Sequence, residues 1–446
     1  MAYTLNPKTV IRASYALSYG QNTTVTGSTH QRGFTASPSF PNTSDGIFPT
    51  FLVKNGFPNW DKPPFVDPGF ALTDSMPWWQ GKEATRPPAF QSFNFSIQRQ
   101  LSANTIVETA YNGSLGSRLQ AGLLAYNQVN PSFLRQYGPD LLRQRFDSPA
   151  AVAAGIKAPF PTFGALWGTR ATVGQALKPF PQYSNIDTGG GGGDHSGHST
   201  YHSWMLRFEK RYSSGLQFQT SYVFSKLLTD ADSYWIGGAA MDHFNRKLEK
   251  SIGQFDITNN FKAGVVWDLP FGKGRSFLNK GGVSNIVLGG WRFSSTHFYA
   301  SGQPLPLGTT IGLPLFGGGN RPQISSYDGW QGAIGGDKFD PNRDRSVQPA
   351  SFFPTQIANT FGNMTRYNPK FRQMPNYSEN ISIAKEFRVN ESIHLDFRAE
   401  AFNAFNRVRF GTGSLTLQDQ NFGRLTSSAD LLNSPRQLQL ALKLYF

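Results

Sequence analysis

The sequence predicts an all-β fold: an antiparallel transmembrane β-barrel, of which about ten to eleven strands are present. Three observations carry this. Apolar and polar residues alternate in segment after segment, which gives a strand one apolar and one polar side. The connections between these segments alternate short and long. Aromatics are plentiful, with 38 Phe and 9 Trp, yet no run of 18 apolar residues exists, so any membrane crossing is made by strands and not helices.

The clearest segment is Arg436 to Phe446, RQLQLALKLYF. Leu438, Leu440, Leu442, Leu444 and Phe446 share one face; Gln437, Gln439, Ala441, Lys443 and Tyr445 share the other. About ten residues of this pattern suffice for one tilted crossing of a bilayer.

From the start of the chain, Tyr3–Leu5 reads as the tail of a strand and Asn6-Pro7-Lys8 as a tight turn. Thr9–Tyr19 alternates, with Ile11, Ala13, Tyr15, Leu17 and Tyr19 outward. A long connection runs from about 20 to 89. Phe90–Leu101 and Thr105–Tyr111 form the next hairpin, turned at Ser102-Ala103-Asn104. A second long connection spans about 116–199. It is expected to hold short helices near Pro139–Arg145 and Pro149–Ala154, the second capped by Ser148.

Tyr201–Tyr212 and Leu216–Lys226 form a hairpin through Ser213-Ser214-Gly215, with Trp204, Leu206, Phe208, Phe218, Tyr222 and Phe224 outward. Further strands are expected at Asn260–Leu269, Leu288–Ala300, Tyr377–Val389, Ser392–Ala401 and Arg436–Phe446. The remaining long connections fall at 227–254, 303–375 and 407–434. Outer-membrane barrels keep short turns on the periplasmic side and long loops outside, so the C-terminus is expected on the periplasmic side. Arg99, Lys210 and Lys385 interrupt the apolar face, all near short turns. A basic residue costs about 0–1 kcal/mol there, against roughly 2–4 kcal/mol at the midplane.

Composition narrows the function. The net charge is +14, but Lys and Arg are scattered and no nucleic-acid recognition motif accompanies them, so no nucleic-acid partner is expected. With no Cys, disulfides, thiolate metal sites and a Cys nucleophile are excluded. The start, MAYTLNPKTV, has neither a basic n-region nor an apolar h-region, so the chain is read as the later part of something longer.

Several stretches resemble the C-terminal barrel of Oar-like TonB-dependent outer-membrane receptors. They are YHSWMLRFEKRYSSGLQFQTSYVFSK (201–226), FDITNNFKAGVVWDLPFGKGRSFL (255–278), LGGWRFSSTHFYASGQPLPL (288–307), FRAEAFNAFNRVRFG (397–411) and the ending SPRQLQLALKLYF. The resemblance covers most of 90–446. It implies a barrel of about 22 strands around an N-terminal plug, importing scarce solutes with energy relayed by TonB. No plug, TonB-contacting segment or carboxypeptidase-regulatory-like domain is legible, so this chain is read as the C-terminal half of such a barrel, reaching the TonB complex only through a plug it lacks. The remaining partners expected are outer-membrane lipid and the outer-membrane assembly machinery. The latter reads a terminal strand like Leu438, Leu440, Leu442, Leu444 and Phe446. The alternative is a non-transporting surface or adhesion protein with binding loops.

Candidate chemistry is sparse, and neither an enzyme nor a cofactor is expected. His195, His198 and His202, beside Asp194, have a spacing that suits Zn, Ni or Cu, although a polar loop entering a strand explains them equally. Asp340-x-Asn342-x-Asp344 begins like a calcium loop, but Arg345 and Ser351 stand where Gly and Glu are needed. His394, Asp396, Arg398 and Glu400 project together into the lumen and read as a charge ladder. Gly272-Lys273-Gly274 reads as turn chemistry. Solute contact falls to the loop aromatics Trp60, Trp78, Trp79, Trp167 and Trp235, whose rings stack on flat faces or pack the loops.

Overall fold

The computed structural model describes all residues except 21–39, 41–46, 60–76, 78–85, 187–193, 232–239, 280, 314–315, 317–318, 334–338, 389–392 and 427–431. In chain order the strands are β1 (Ala2–Asn6), β2 (Thr9–Tyr19), β3 (Ala89–Ser102), β4 (Thr105–Leu119), β5 (Gly197–Ser213), β6 (Leu216–Thr229), β7 (Ser251–Ile252), β8 (Asn259–Asp268), β9 (Trp291–Ala300), β10 (Pro304–Leu305), β11 (Asn368–Arg372), β12 (Asn376–Arg388), β13 (His394–Phe402) and β14 (Gln437–Tyr445). One antiparallel sheet of twelve strands runs β1-β2-β3-β4-β5-β6-β8-β9-β12-β13-β14, with β7 beside β6. β10 and β11 pair separately. Every path strand neighbours the next in sequence order, and β1 and β14 lie at the two edges, unpaired with each other.

The register keeps the alternation coherent across strands. Tyr15 faces Phe93, Phe95 faces Tyr111 and Tyr111 faces Trp204. Tyr222 faces Phe261, Phe261 faces Tyr299 and Tyr299 faces Tyr377. One apolar face therefore runs from strand to strand, with a row of rings toward the long-connection end. A second row, including Trp267 and Trp291, lies toward the short turns. Tyr299 and Trp291 are eight residues apart on β9, about 26 Å at roughly 3.3 Å per residue.

Most of this apolar face has no protein cover. Leu438, Leu440 and Leu442 are 73, 75 and 67% exposed, and Tyr15 is 65% exposed. Among the described residues, the buried hydrophobics on the path strands are all alanines: Ala89, Ala110 and Ala300. The packed cores lie in the connections instead. One gathers Leu307, Trp330, Val347, Phe353, Met364 and Phe422; another gathers Phe163, Trp167 and Ala171. A soluble sandwich buries one face of each sheet, and this sheet buries neither.

Three details differ from the sequence expectation. β4 runs on past Tyr111 to Leu119, because Gly113 leaves room for the Phe93 ring paired with it; a Cβ there would lie 2.2 Å from that ring. β9 begins at Trp291 rather than Leu288, because Val283–Leu288 is a short helix ended by Gly289 and by Gly290 at φ 72°. The 120–196 connection is more helical than expected. Its helices are α1 (Ser132–Arg143), kinked at Gly138, α2 (Pro149–Ala153), α3 (Phe163–Trp167) and α4 (Val173–Ala176); α5 is the 283–288 helix. Ser148 caps α2 as expected, its Oγ accepting from the Ala151 amide at 3.3 Å.

Candidate functional site: the polar face and its loop cap

Residues opposite the apolar face make a hydrogen-bonded ladder. Arg12 donates to Gln98 at 2.6 Å, Asn94 to Asn112 at 2.6 Å, Arg207 to Glu209 at 2.7 Å and Arg292 to Asp268 at 2.7 Å. His394, Asp396, Arg398 and Glu400 stand in register opposite Tyr445, Lys443, Ala441 and Gln439. His394 stacks on Tyr445 at 4.4 Å, and Arg398 lies 3.9 Å from Glu400. These four do share the polar face, and Asp396 stands across from the opposite charge of Lys443.

The sheet curves around this polar face. A hollow of about 440 Å³ is lined from five strands by residues including Gln217, Gln219, Thr296, Asn380 and Glu400. A second, of about 400 Å³, lies toward the long connections and includes Asn376, Ser378, Asn433 and Gln437. Asn380 and Phe402 line both, so the two form one groove. Phe402 is 41% exposed and is the aromatic ring common to the two hollows. The groove mixes amides and hydroxyls with apolar side chains such as Val266 and Phe298, and with the Phe402 ring at its waist it offers hydrogen bonds and a stacking face to a ligand.

Over the long-connection end the loops form a cross-linked cap. Arg321 grips Glu249 with bonds of 2.7 and 2.9 Å, and Arg372 donates to Asp256 at 2.8 Å. These two pairs join the 230–258 connection to the 301–375 connection. Glu249 and Asp256 are 4 and 1% exposed at the side chain. Beside β13, Arg407 holds Glu379 at 2.8 and 3.0 Å. Asn403 and Asn406, at φ 49° and 50°, shape the turn that brings Arg407 there. In the 120–196 connection, burial lowers the Lys178 ammonium to about 8 while it donates to the Ser184 carbonyl at 2.6 Å. None of these ion pairs is legible in the sequence, because partners 28 to 116 residues apart leave no local pattern.

The histidines do not converge. His195 is buried and its Nδ1 bonds the Arg86 carbonyl at 2.7 Å. His202 points outward, bonded at 2.6 Å to Tyr111 and stacked on that ring. His198 lies four residues before it, about 13 Å away at roughly 3.3 Å per residue. Asp194 is fully used, accepting from the amides of Leu123, Leu124 and Ser196 and from the Ser196 hydroxyl. Among the described residues no group of three or more potential ligands could hold a metal.

Trp167 is 4% exposed, donating to the Pro181 carbonyl at 2.9 Å within its loop core. Trp60, Trp78, Trp79 and Trp235 lie outside the described residues. Asp340, Asn342 and Asp344 close a local turn: the Asp344 carboxylate accepts the Asp340 amide at 2.9 Å. Gly272 and Gly274 adopt φ of 107° and 78°, in keeping with turn chemistry.

A protein-family model described as "outer membrane beta barrel domain" matches residues 1–439. Among solved structures, the ferripyoverdine receptor of the Pseudomonas aeruginosa outer membrane, bound to ferripyoverdine, is 8% identical with a TM-score of 0.38; the match covers 100% of this chain and 32% of that one. The ferric-catecholate import receptor Fiu of E. coli is 10% identical with a TM-score of 0.38, covering 100% of this chain and 34% of that one. The chain thus spans about a third of the length of the solved structures it matches. None of the curated proteins compared with it matches.

Proposed function

The chain belongs to the outer membrane beta-barrel domain family, whose place is the outer membrane, and from that premise we propose that it forms part of the barrel wall of a TonB-dependent receptor that takes up a solute. The observation that carries the proposal is the sheet's two-sidedness. Its apolar face is largely bare of protein, its polar face encloses a groove, and its large buried hydrophobic side chains sit in the loops. Lipid is the partner that covers such an apolar face. The resemblance of 201–226, 255–278, 288–307 and 397–411 to Oar-like receptors supplies the receptor part of the reading.

In this reading the capped end faces outside and the short turns face the periplasm. The groove beneath the cap, with Phe402 at its waist, receives the solute. Energy from TonB reaches the wall through a plug-type domain lodged in the bore. The edges at β1 and β14 carry unpaired amides and carbonyls, which lipid does not satisfy, so both edges pair with further strands.

Fractionation tests the placement. Recovery in the outer-membrane fraction, with protease cutting the 301–375 connection on intact cells, is expected. Recovery as a soluble cytoplasmic protein overturns the reading.

A further inference from the structure

The connection between β8 and β9 is the one short-end connection among the described residues with a helix of its own, and that helix leans on the wrong side for a soluble protein. Lys385 belongs to the apolar face of β12, in register with Trp291. It is nevertheless 4% exposed. Its ammonium donates to the carbonyls of Ile286, Val287 and Gly289 at 2.5, 3.0 and 2.7 Å, closing the C-terminal end of α5. The ring of Trp291 lies 5.1 Å from the same ammonium, and the Trp291 indole N–H donates to the Val287 carbonyl at 2.9 Å. Both anchors come from the apolar face, so α5 is drawn against the outside of the wall and not under its bore.

The rest of the connection is built to hold that pose. Asn285 accepts the Lys273 amide at 2.7 Å and fills the space over Gly272 and Gly289, where a Cβ would lie 2.6 and 2.4 Å from its Oδ1. A six-residue helix has no stability of its own, and here tertiary bonds hold its middle at Asn285 and its C-terminal end. Yet Val283, Ile286 and Val287 are 76, 60 and 57% exposed. They recur at the helical spacing of one face. Lys273 and Arg275 on the preceding turn are exposed as well.

We propose that α5 is a membrane-surface anchor, lying in the interfacial layer of the phospholipid leaflet at the short-connection end. Val283, Ile286 and Val287 enter the acyl boundary, and Lys273 and Arg275 meet anionic headgroups. The occupant is lipid because α5 is bonded to Trp291 and Lys385, residues of the apolar face of β9 and β12 that lipid covers. An apolar stripe beside basic residues is the chemistry of an interfacial helix. Lys385 spends its charge on helix carbonyls, which lets a cation sit on the lipid side. The proposal rests on the reading that this face meets lipid.

The absence of Cys allows single-cysteine labelling without background. Ile286→Cys, Leu442→Cys and Gln439→Cys variants of the full chain, each carrying a small environment-sensitive fluorophore, are reconstituted in phosphatidylethanolamine/phosphatidylglycerol vesicles. Shallow brominated lipid and aqueous iodide serve as the two quenchers. The Ile286 label is expected to be quenched by bromolipid at least twofold more than the Gln439 label, and to be shielded from iodide. Strong bromolipid quenching at Leu442 with an iodide-accessible Ile286 overturns the anchor and leaves the wall reading standing. Lack of lipid quenching at both positions overturns both. Adding Lys385→Met to the Ile286→Cys variant should release the helix and raise its iodide quenching; unchanged quenching overturns the pinning by Lys385.

Discussion

Arg321 and Glu249 are 72 residues apart in sequence, yet they form a two-pronged ion pair with both side chains largely buried. The Arg321 Nε also donates to the Met364 carbonyl at 3.0 Å, so one guanidinium ties three pieces of the cap together. Removing one partner leaves the other charge buried alone, which costs about 3–5 kcal/mol, whereas replacing both by apolar residues recovers most of it. Glu249→Ala should therefore make the 240–256 and 301–375 connections protease-sensitive, and Glu249→Met with Arg321→Met should restore resistance. The heat-modifiable gel mobility of the sheet should not change in either variant.

The apolar face makes a sharp demand on neighbouring positions of one strand. Leu440 faces outward and Gln439 faces the groove. Arginine near the bilayer midplane costs about 2–4 kcal/mol on the lipid side. Leu440→Arg should lower the unfolding free energy in lipid vesicles by that order, measured by denaturant titration, while Gln439→Arg changes it by less than about 1 kcal/mol. Equal effects at the two sites would contradict a lipid-facing β14.

Lys178 gives the 120–196 connection a pH dependence. Burial lowers it from 10.5 to about 8 in the folded segment. Between those values the unfolded segment holds a proton that the folded one has shed, so stability rises with pH across that window. The full gain is up to about 3 kcal/mol at 1.36 kcal/mol per unit. Proteolysis of this connection should slow from pH 7.5 to 9.5, relative to a Lys178→Met variant whose rate serves as the baseline. A wild-type rate that tracks the variant at both pH values would show that the ammonium is not held there.

Asp194 organises the entry to β5. Its two oxygens accept three amides and one hydroxyl, and Asp194→Asn turns one of those acceptors into a donor facing N–H groups. The cost is about 1–3 kcal/mol for groups left unsatisfied. Faster hydrogen exchange at Leu123 and Leu124 is expected, with the β5–β6 hairpin protected as before. Zinc should leave those exchange rates unaltered, because Asp194 is committed to amides; zinc-dependent slowing would revive the histidine site.

Phe446 and the leucine row of β14 remain our candidates for the assembly signal. Deleting Phe446 should reduce the outer-membrane level of the protein more than Gln439→Ala does, as judged by immunoblot of membrane fractions. Equal levels would remove that role from Phe446.

Much of this was legible in the sequence because it is local. Successive side chains of a strand point to opposite sides, so Trp204, Leu206 and Phe208 were assigned to one face from spacing alone, and the register confirms the face strand by strand. The three basic interruptions, Arg99, Lys210 and Lys385, are legible as well, each three residues before its strand ends at a short connection. What the sequence did not carry was how the loops use their charges. Glu249, Asp256 and Glu379 look like ordinary acidic loop or strand residues, and their partners lie 72, 116 and 28 residues away. Nor does spacing reveal α5: Leu288 reads as the start of the following strand, although it ends the helix, because an aliphatic residue suits either state. The sequence by itself determined which face of each strand is apolar, because covalent geometry repeats every two residues. The tertiary structure decided which distant charges meet and which way α5 leans, because those depend on loops packing against one another and no periodicity records the partner.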